Sequence, residues 1–206
     1  MLDIGGNIGI YPSYLGRFGY SILSFEPSPI NYYISNKNYC NYRNKSNVIL
    51  INKGLSNEEK TCNYYLNIGN KGNGIILCND FINKEIKSQF LKESNVIITK
   101  FSNFIPYLLN KYLALMKIDI EGNEGKVIES GIDLINKYHI PYIFLEFSPL
   151  LLKEHGTDPR NFLLLFLDNG YKISLDGFFS NNYISIEQLI TQYKKQAKIY
   201  LIYIGN

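Results

Sequence analysis

Two short stretches carry residue types that can hold a nucleoside. The first is Leu2-Asp3-Ile4-Gly5-Gly6-Asn7-Ile8-Gly9, an apolar strand running into an acid and a glycine-dense turn. The second, Phe25-Glu26-Pro27-Ser28-Pro29, begins sixteen residues after Gly9. Gly5 and Gly9 allow backbone to approach a ligand where a Cβ would collide. Glu26 stands where a carboxylate can accept hydrogen bonds from both hydroxyls of a ribose. A dinucleotide fingerprint would read G-x-G-x-x-G, whereas this turn reads Asp3-x-Gly5-x-x-x-Gly9 with Asn at position 7. The acid ahead of the first glycine is unsuited to a pyrophosphate. It suits a ligand with a cationic amino group and a sulfonium, which is S-adenosylmethionine. The predicted cofactor contacts are therefore Asp3, Gly5, Asn7, Gly9 and Glu26.

A second set of acids lies further along. Asp119 and Glu121 follow an apolar strand in Lys117-Ile118-Asp119-Ile120-Glu121-Gly122-Asn123-Glu124, and Glu146 follows another in Glu146-Phe147-Ser148-Pro149. In an open α/β sheet, ligands bind outside the carboxyl ends of the strands, and each of these acids is expected at such an end. Methyl transfer from a sulfonium is an in-line displacement in which the protein aligns the acceptor and excludes water. A hydroxyl acceptor must also lose its proton. A positioned base would supply roughly 10²–10⁴-fold, or carboxylates could hold a divalent metal that does the same work. Asp119, Glu121 and Glu146 are the candidates for either role, and oxygen-only ligation would favour Mg²⁺. His155, in a loop on the same side, is a further candidate base; His139, ahead of a strand, reads as structural.

The elements that must position these residues alternate as strands and helices. Strands are expected at Met1–Ile4, Ser21–Phe25, Asn47–Ile51, Leu113–Ile118 and Ile140–Leu145, with helices over 10–18, 31–42, 124–138 and 158–169. Asn47–Ile51 is continuously apolar and reads as a buried parallel strand. Cys62–Ile68 reads as an edge strand, 69–74 as a flexible loop and 79–95 as a polar insertion with a helical turn. A short strand is expected at Val96–Lys100, and Ser102 as the cap of a helix to Asn110. Tyr171–Leu175, a short helix at 186–193 and Ile199–Ile204 close the chain as an antiparallel pair. The fold class is α/β, a doubly wound sheet, mostly parallel with an antiparallel last strand.

Composition narrows the function classes. The 206 residues are 46% hydrophobic with a net charge of +3, consistent with one globular domain. Lys37, Arg43 and Lys45 form only a weak basic cluster, so nucleic acid is not an expected partner. No apolar run reaches ~18 residues, so no membrane span is expected, nor a signal peptide. Cys40, Cys62 and Cys78 are odd in number and lack C-x-x-C spacing. That argues against a disulfide frame or a zinc site and for a reducing, cytoplasmic setting. The first strand has only Met1 to Ile4 available, short of the usual about 5–6 residues. The domain thus either starts tightly or lacks an N-terminal segment.

Taken together, the chain resembles the FkbM family of S-adenosylmethionine-dependent methyltransferases. The opening motif (with Gly6 where the family commonly has Ala), Phe25-Glu26-Pro27-Ser28-Pro29 with Asn31, the Lys117–Glu124 signature, and Glu146-Phe147-Ser148-Pro149 carry the resemblance. The loop glycines around Asn70 and the Gly170-Tyr171 pair also match. The resemblance spans residues 2–204 and implies a class I methyltransferase (Rossmann-like) fold of seven strands. It implies O-methylation of a hydroxyl on a glycan or small-molecule metabolite, with Asp3, Gly5, Asn7 and Gly9 cradling the methionine part and Glu26 the ribose. Gly54 and Leu55 would lie against the adenine. Competing expectations are a remnant cofactor-binding module that has lost its acceptor site, and a nicotinamide-dependent oxidoreductase, which the missing G-x-G-x-x-G disfavours.

Overall fold

The computed structural model describes residues 1–40, 47–70, 74–79, 88–108 and 110–205. The chain divides into two compact units, Met1–Lys100 and Phe101–Asn206.

In the first unit, β1 (Leu2–Ile4), β2 (Ile22–Phe25) and β3 (Val48–Ile51) pair in parallel, in register Asp3↔Ser24 and Ser24↔Leu50. Parallel neighbours need crossovers, and helices α1 (Ile10–Gly16) and α2 (Pro29–Cys40) provide them. Because such crossovers are right-handed, both helices cover the same face of these strands. Leu2, Ile4, Ile22 and Phe25 are fully buried. β3 departs from expectation: Ile49 is 60% exposed, because β3 pairs only with β2 at the end of the strand order.

The same unit carries a second sheet that the sequence pattern concealed. It has the order β4 (Gly54–Ser56), β7 (Phe90–Lys100), β5 (Lys60–Asn67), β6 (Gly74–Leu77). β5 is therefore an inner strand, not an edge. Part of the expected polar insertion and the whole expected strand at 96–100 belong to one eleven-residue strand, β7. The rest of that insertion, at 80–87, and positions 71–73 of the expected loop lie outside the described residues, as do Arg43 and Lys45.

The β5–β6 register pairs Asn63 with Leu77, which sets Cys62 opposite Cys78. They form a disulfide with Cα atoms 4.3 Å apart, leaving Cys40 exposed and unbonded to sulfur. The expectation of no disulfide is corrected here. Two cysteines sixteen residues apart in sequence become cross-strand neighbours, a proximity that spacing rules do not encode. With it goes the inference from unpaired thiols to a reducing compartment.

In the second unit the strand order is β10 (Tyr171–Ser174), β11 (Ala197–Tyr203), β9 (Tyr142–Phe147), β8 (Leu115–Ile118). β8 and β9 are parallel, while β11 runs antiparallel to both its neighbours, as the terminal pair was expected to. A 3₁₀ turn (Phe101–Phe104) leads into α3 (Ile105–Leu108), shorter than the helix expected from Ser102. Helix α4 (Glu124–Tyr138) buries Val127, Ile128, Leu134 and Ile135 along one stripe. Helix α5 (Pro149–Glu154) was not expected, although Ser148 caps it and Pro149 occupies its first turn. Helix α6 (Pro159–Leu167) is capped by Asp158, whose carboxylate accepts from Asn161 N at 2.8 Å. In α7 (Ile186–Gln192), Ser185 and Gln188 close a reciprocal capping box. His139 ends α4 and stacks on Tyr203 with ring centroids 4.7 Å apart, the structural role expected of it. Among the described residues, no helix is long and apolar enough to cross a membrane.

Candidate functional site

The opening turn is built by the end of β2. Phe25 O accepts from both Gly5 N (3.0 Å) and Gly6 N (2.9 Å), folding the chain back as it leaves β1. Asn7 then adopts the left-handed region (φ 48°), as does Gly9 (φ 79°). The Asn7 side chain accepts from Ile8 N at 2.8 Å, which offsets part of that cost. Asn7 N donates to Glu26 Oε2 at 2.7 Å, and Ser28 N donates to Glu26 Oε1 at 2.8 Å. The two motifs that the sequence set nineteen residues apart are thus joined directly. Each Glu26 oxygen holds one backbone N–H, and the Asn31 side chain adds a third hydrogen bond to the carboxylate. Glu26 is buried, and burial raises its pKa to about 7, aided by the charge of Asp3; the N–H groups of Ser28 and Asn7 and the Asn31 side chain pull the other way.

Asp3 lies within β1 and not after it, fully buried, with Oδ2 accepting from Ser24 Oγ at 2.8 Å. A Cβ on Gly6 would collide with that same Ser24 hydroxyl. The Gly at position 6 is therefore coupled to the Ser24–Asp3 pair. At Gly9, a Cβ would collide with Ser35 of α2, so this glycine also lets α1 approach α2. Gly54 lies in β4, its missing side chain's place taken by Ile76, Ile98 and Pro27, and Leu55 is buried beside it. Ser28 was named in its motif but given no role. Its hydroxyl accepts from Asn31 N and donates to Glu93 of β7 at 3.1 Å.

In the second unit, β8 delivers Asp119 and β9 carries Glu146 within its last two residues. Between β8 and α4, Glu121 (φ 55°) and Gly122 (φ 102°) are both left-handed. A non-glycine residue held there costs roughly 1–3 kcal/mol and persists only where its surroundings dictate it. They do so here. Glu124, buried at the start of α4, accepts from Ile120 N at 3.1 Å, and Gly122 and Gly125 leave no room for a Cβ against Leu151, His155 and Thr157.

Asp119, Glu121 and Glu146 each place a carboxylate oxygen within 4.8 Å of the others. Lys117, buried in β8, sets Nζ 3.4 Å from Asp119 Oδ2. Burial and then the charge of Asp119 raise Glu121 to about 7. Glu124 is raised to about 7, mainly by burial. Glu146 is pushed well above the ordinary carboxylate range by burial, then by the charge of Asp119 and a hydrogen bond with it. Glu121, Glu124 and Glu146 thus hold protons far more readily near neutrality than ordinary carboxylates do, as buried and closely spaced acids should. His155 goes the other way, lowered to about 4 by burial and by Lys126, which leaves it neutral and a weak base. Lys117 and Glu124 were quoted in the motif without a role. The signal for Lys117 was a lysine inside an otherwise apolar strand, two residues before Asp119.

The model of the Methyltransferase FkbM domain matches residues 3–173. No curated protein matches the chain. Among solved structures, the crystal structure of methyltransferase FkbM from Methylobacillus flagellatus KT superposes with a TM-score of 0.52 at 14% identity, covering 98% of this chain and 42% of that one. The chain thus spans less than half the length of that protein. The human methyltransferase 10 domain containing protein gives 0.46 at 10% identity, over 100% and 71% of the two chains. The precorrin-6y C5,15-methyltransferase of Geobacter metallireducens GS-15 gives 0.44 at 12% identity, over 98% and 78%. The first of these likenesses shows the fold, Rossmann-like and of the class I methyltransferase type.

Proposed function

The chain belongs to the FkbM methyltransferase family, and on that premise we propose that it binds S-adenosylmethionine and methylates a hydroxyl oxygen of a glycan or small-molecule metabolite as a single domain over residues 1–206. The observation that carries the reading is the Asn7 N–Glu26 Oε2 bond, which makes one unit of the glycine turn and the carboxylate after β2. The acceptor fits the cofactor: Glu26 can accept the two ribose hydroxyls and keep both backbone N–H bonds once the Asn31 side chain yields its place to one of them. Gly5, Asn7 and Gly9 form the turn that cradles the methionine part in this reading, with Asp3 buried beneath it in β1. In this reading Gly54 and Leu55 support the adenine end through the packing of β4. When bound, the cofactor supplies a methyl group activated by its sulfonium.

The chain's own residues then have to orient the acceptor and take its proton. Asp119 is the base in this proposal: Lys117 Nζ lies 3.4 Å from its carboxylate, and Glu121 and Glu146 beside it hold protons more readily than an ordinary carboxylate. Asp119 takes the hydroxyl proton and afterwards releases it to water, while Glu146 and Glu121 in their protonated forms donate hydrogen bonds to the acceptor. His155 packs against Gly122 and shapes the turn that holds Glu121. The oxygen-only cluster of Asp119, Glu121 and Glu146 also matches what Mg²⁺ accepts. Lys117 already supplies a positive charge there, so the proposed reaction does not require the metal.

The test is methyl transfer from labelled S-adenosylmethionine to a panel of glycans and hydroxylated metabolites, run with Mg²⁺ and with chelator. Labelled, O-methylated product is expected in both. Folded protein that binds neither S-adenosylmethionine nor S-adenosylhomocysteine would overturn the proposal.

A further inference from the structure

The second sheet of the first unit touches the ribose motif through one side chain. Along β7 the register with β5 slips once: Tyr64 faces Ser94, and the next residue, Tyr65, faces Lys92. Glu93 is the extra residue of a β-bulge. A bulge takes one residue out of the ladder and re-aims its side chain, and such features recur beside functional sites. Here the half-buried Glu93 carboxylate reaches Ser28, 65 residues earlier in the chain, with Oε2 3.1 Å and Oε1 3.4 Å from the Ser28 hydroxyl oxygen.

Ser28 is fully buried, and each of its polar groups is used. Its N–H donates to Glu26 Oε1 at 2.8 Å, its carbonyl accepts from Tyr32 N at 2.9 Å, and its hydroxyl oxygen accepts from Asn31 N at 3.2 Å. The hydroxyl has one donor to offer, and it points to Glu93. Just ahead, Asn52 Nδ2 donates to Glu26 O at 2.8 Å and to Pro27 O at 3.0 Å. The segment from β2 to α2 is thus tied by Asn52 after β3 and by Glu93 of β7. Two carboxylates bridged by one serine gain nothing from each other's charge. What the arrangement secures is direction: with its side chain tied to β7, Ser28 keeps its N–H on the Glu26 oxygen.

We propose that Glu93 is a positioning residue for cofactor binding: its carboxylate anchors Ser28, and Ser28 keeps Glu26 turned to the ribose hydroxyls. This role rests on the proposed use of Glu26 as the ribose acceptor. Glu26 is faced by the charge of Asp3 from β1, by the N–H groups of Asn7 and Ser28, and by the Asn31 side chain of α2. The Ser28 N–H favours the ionised form. Loosening it raises Glu26 further and moves ribose binding to higher pH.

The experiment is calorimetry of S-adenosylhomocysteine binding at pH 6, 7 and 8 with the full chain and its variants. Glu93→Ala should bind roughly fivefold more weakly at pH 7, with a smaller deficit at pH 8. Glu93→Gln retains an acceptor oxygen for the Ser28 hydroxyl and should recover to within about twofold of the parent. Ser28→Ala removes the same bond from its other end and should reproduce the deficit, and adding Glu93→Ala to it should cost nothing more. A role in the fold alone would lower affinity equally at every pH. Glu93→Ala with parent affinity, a deficit equal at pH 7 and 8, or Glu93→Gln as weak as Glu93→Ala would each overturn the proposal. Should Glu93→Ala not fold, Ser28→Ala decides on the same pH pattern. A parent that binds no S-adenosylhomocysteine removes the ribose assignment and this role together. A parent that binds with its rise intact, beside a Glu93→Ala variant that matches it, removes this role alone.

Discussion

Glu26 is expected to make cofactor affinity depend on pH over a range where an ordinary carboxylate would be silent. Its pKa is raised to about 7, chiefly by burial. Accepting both ribose hydroxyls requires the ionised form. With a pKa near 7, about a tenth of the protein is ionised at pH 6 and about nine tenths at pH 8. Affinity for S-adenosylhomocysteine should therefore rise roughly tenfold from pH 6 to pH 8, a gain of about 1.4 kcal/mol, with a proton released on binding near neutrality. Calorimetry of the parent and of Glu26→Gln at pH 6, 7 and 8 isolates this group, because the ligand's own titration is common to both. The variant should bind weakly and lose the rise. Glu26→Ala should cost about 1–3 kcal/mol at pH 8 through lost charge-assisted hydrogen bonds. The same shift acts on the ligand-free fold with the opposite sense. The folded state holds its proton more tightly than the unfolded state, whose value is 4.5, so Glu26's contribution is fully present below that pH and declines as pH rises towards 7. A parent whose affinity is flat from pH 6 to 8, or a Gln variant that keeps the rise, refutes the ribose assignment.

Three further outcomes are expected. Gly6→Ala should destabilise the protein by about 1–3 kcal/mol, since its Cβ collides with Ser24 Oγ and strains the Asp3 pairing; urea unfolding should show a smaller cost in a Ser24→Ala background, and equal costs would show the sites are uncoupled. Asp119→Asn should leave S-adenosylhomocysteine affinity near the parent value while turnover on a competent acceptor drops by roughly 10² or more; unchanged turnover removes Asp119 from the mechanism. Native protein should label with a thiol reagent at Cys40 alone, and Cys62→Ser/Cys78→Ser should lower stability by roughly 3 kcal/mol in chemical denaturation; labelling at all three cysteines without reductant contradicts the pairing.

What could be read from sequence follows from how each feature is encoded. Strands ending at Glu26, Asp119 and Glu146 were legible because an apolar run stops at an acid, and both halves of that signal are local. Helices 124–138 and 159–167 were legible from their periodicity and caps. The second sheet was not. β7 contains Lys92, Glu93, Ser94 and Asn95, which read as loop, and its strand character comes from pairing with β5. The disulfide depends on that same tertiary register. The glycine turn after β1 was legible, but spacing alone could not show that Gly6 answers to Ser24 and Gly9 to Ser35, because the partner lies on a different element. Raised carboxyl pKa values in the Asp119 cluster likewise arise from burial and neighbours that only folding supplies.

The most direct measurement of the central claim is a crystal structure of the protein grown with S-adenosylhomocysteine. The account predicts both ribose hydroxyls at about 3 Å from the Glu26 carboxylate, with the amino-acid end of the ligand over the Gly5–Gly9 turn. A ligand bound elsewhere, or a Glu26 carboxylate sealed behind the chain's own side chains at saturating ligand, would contradict it.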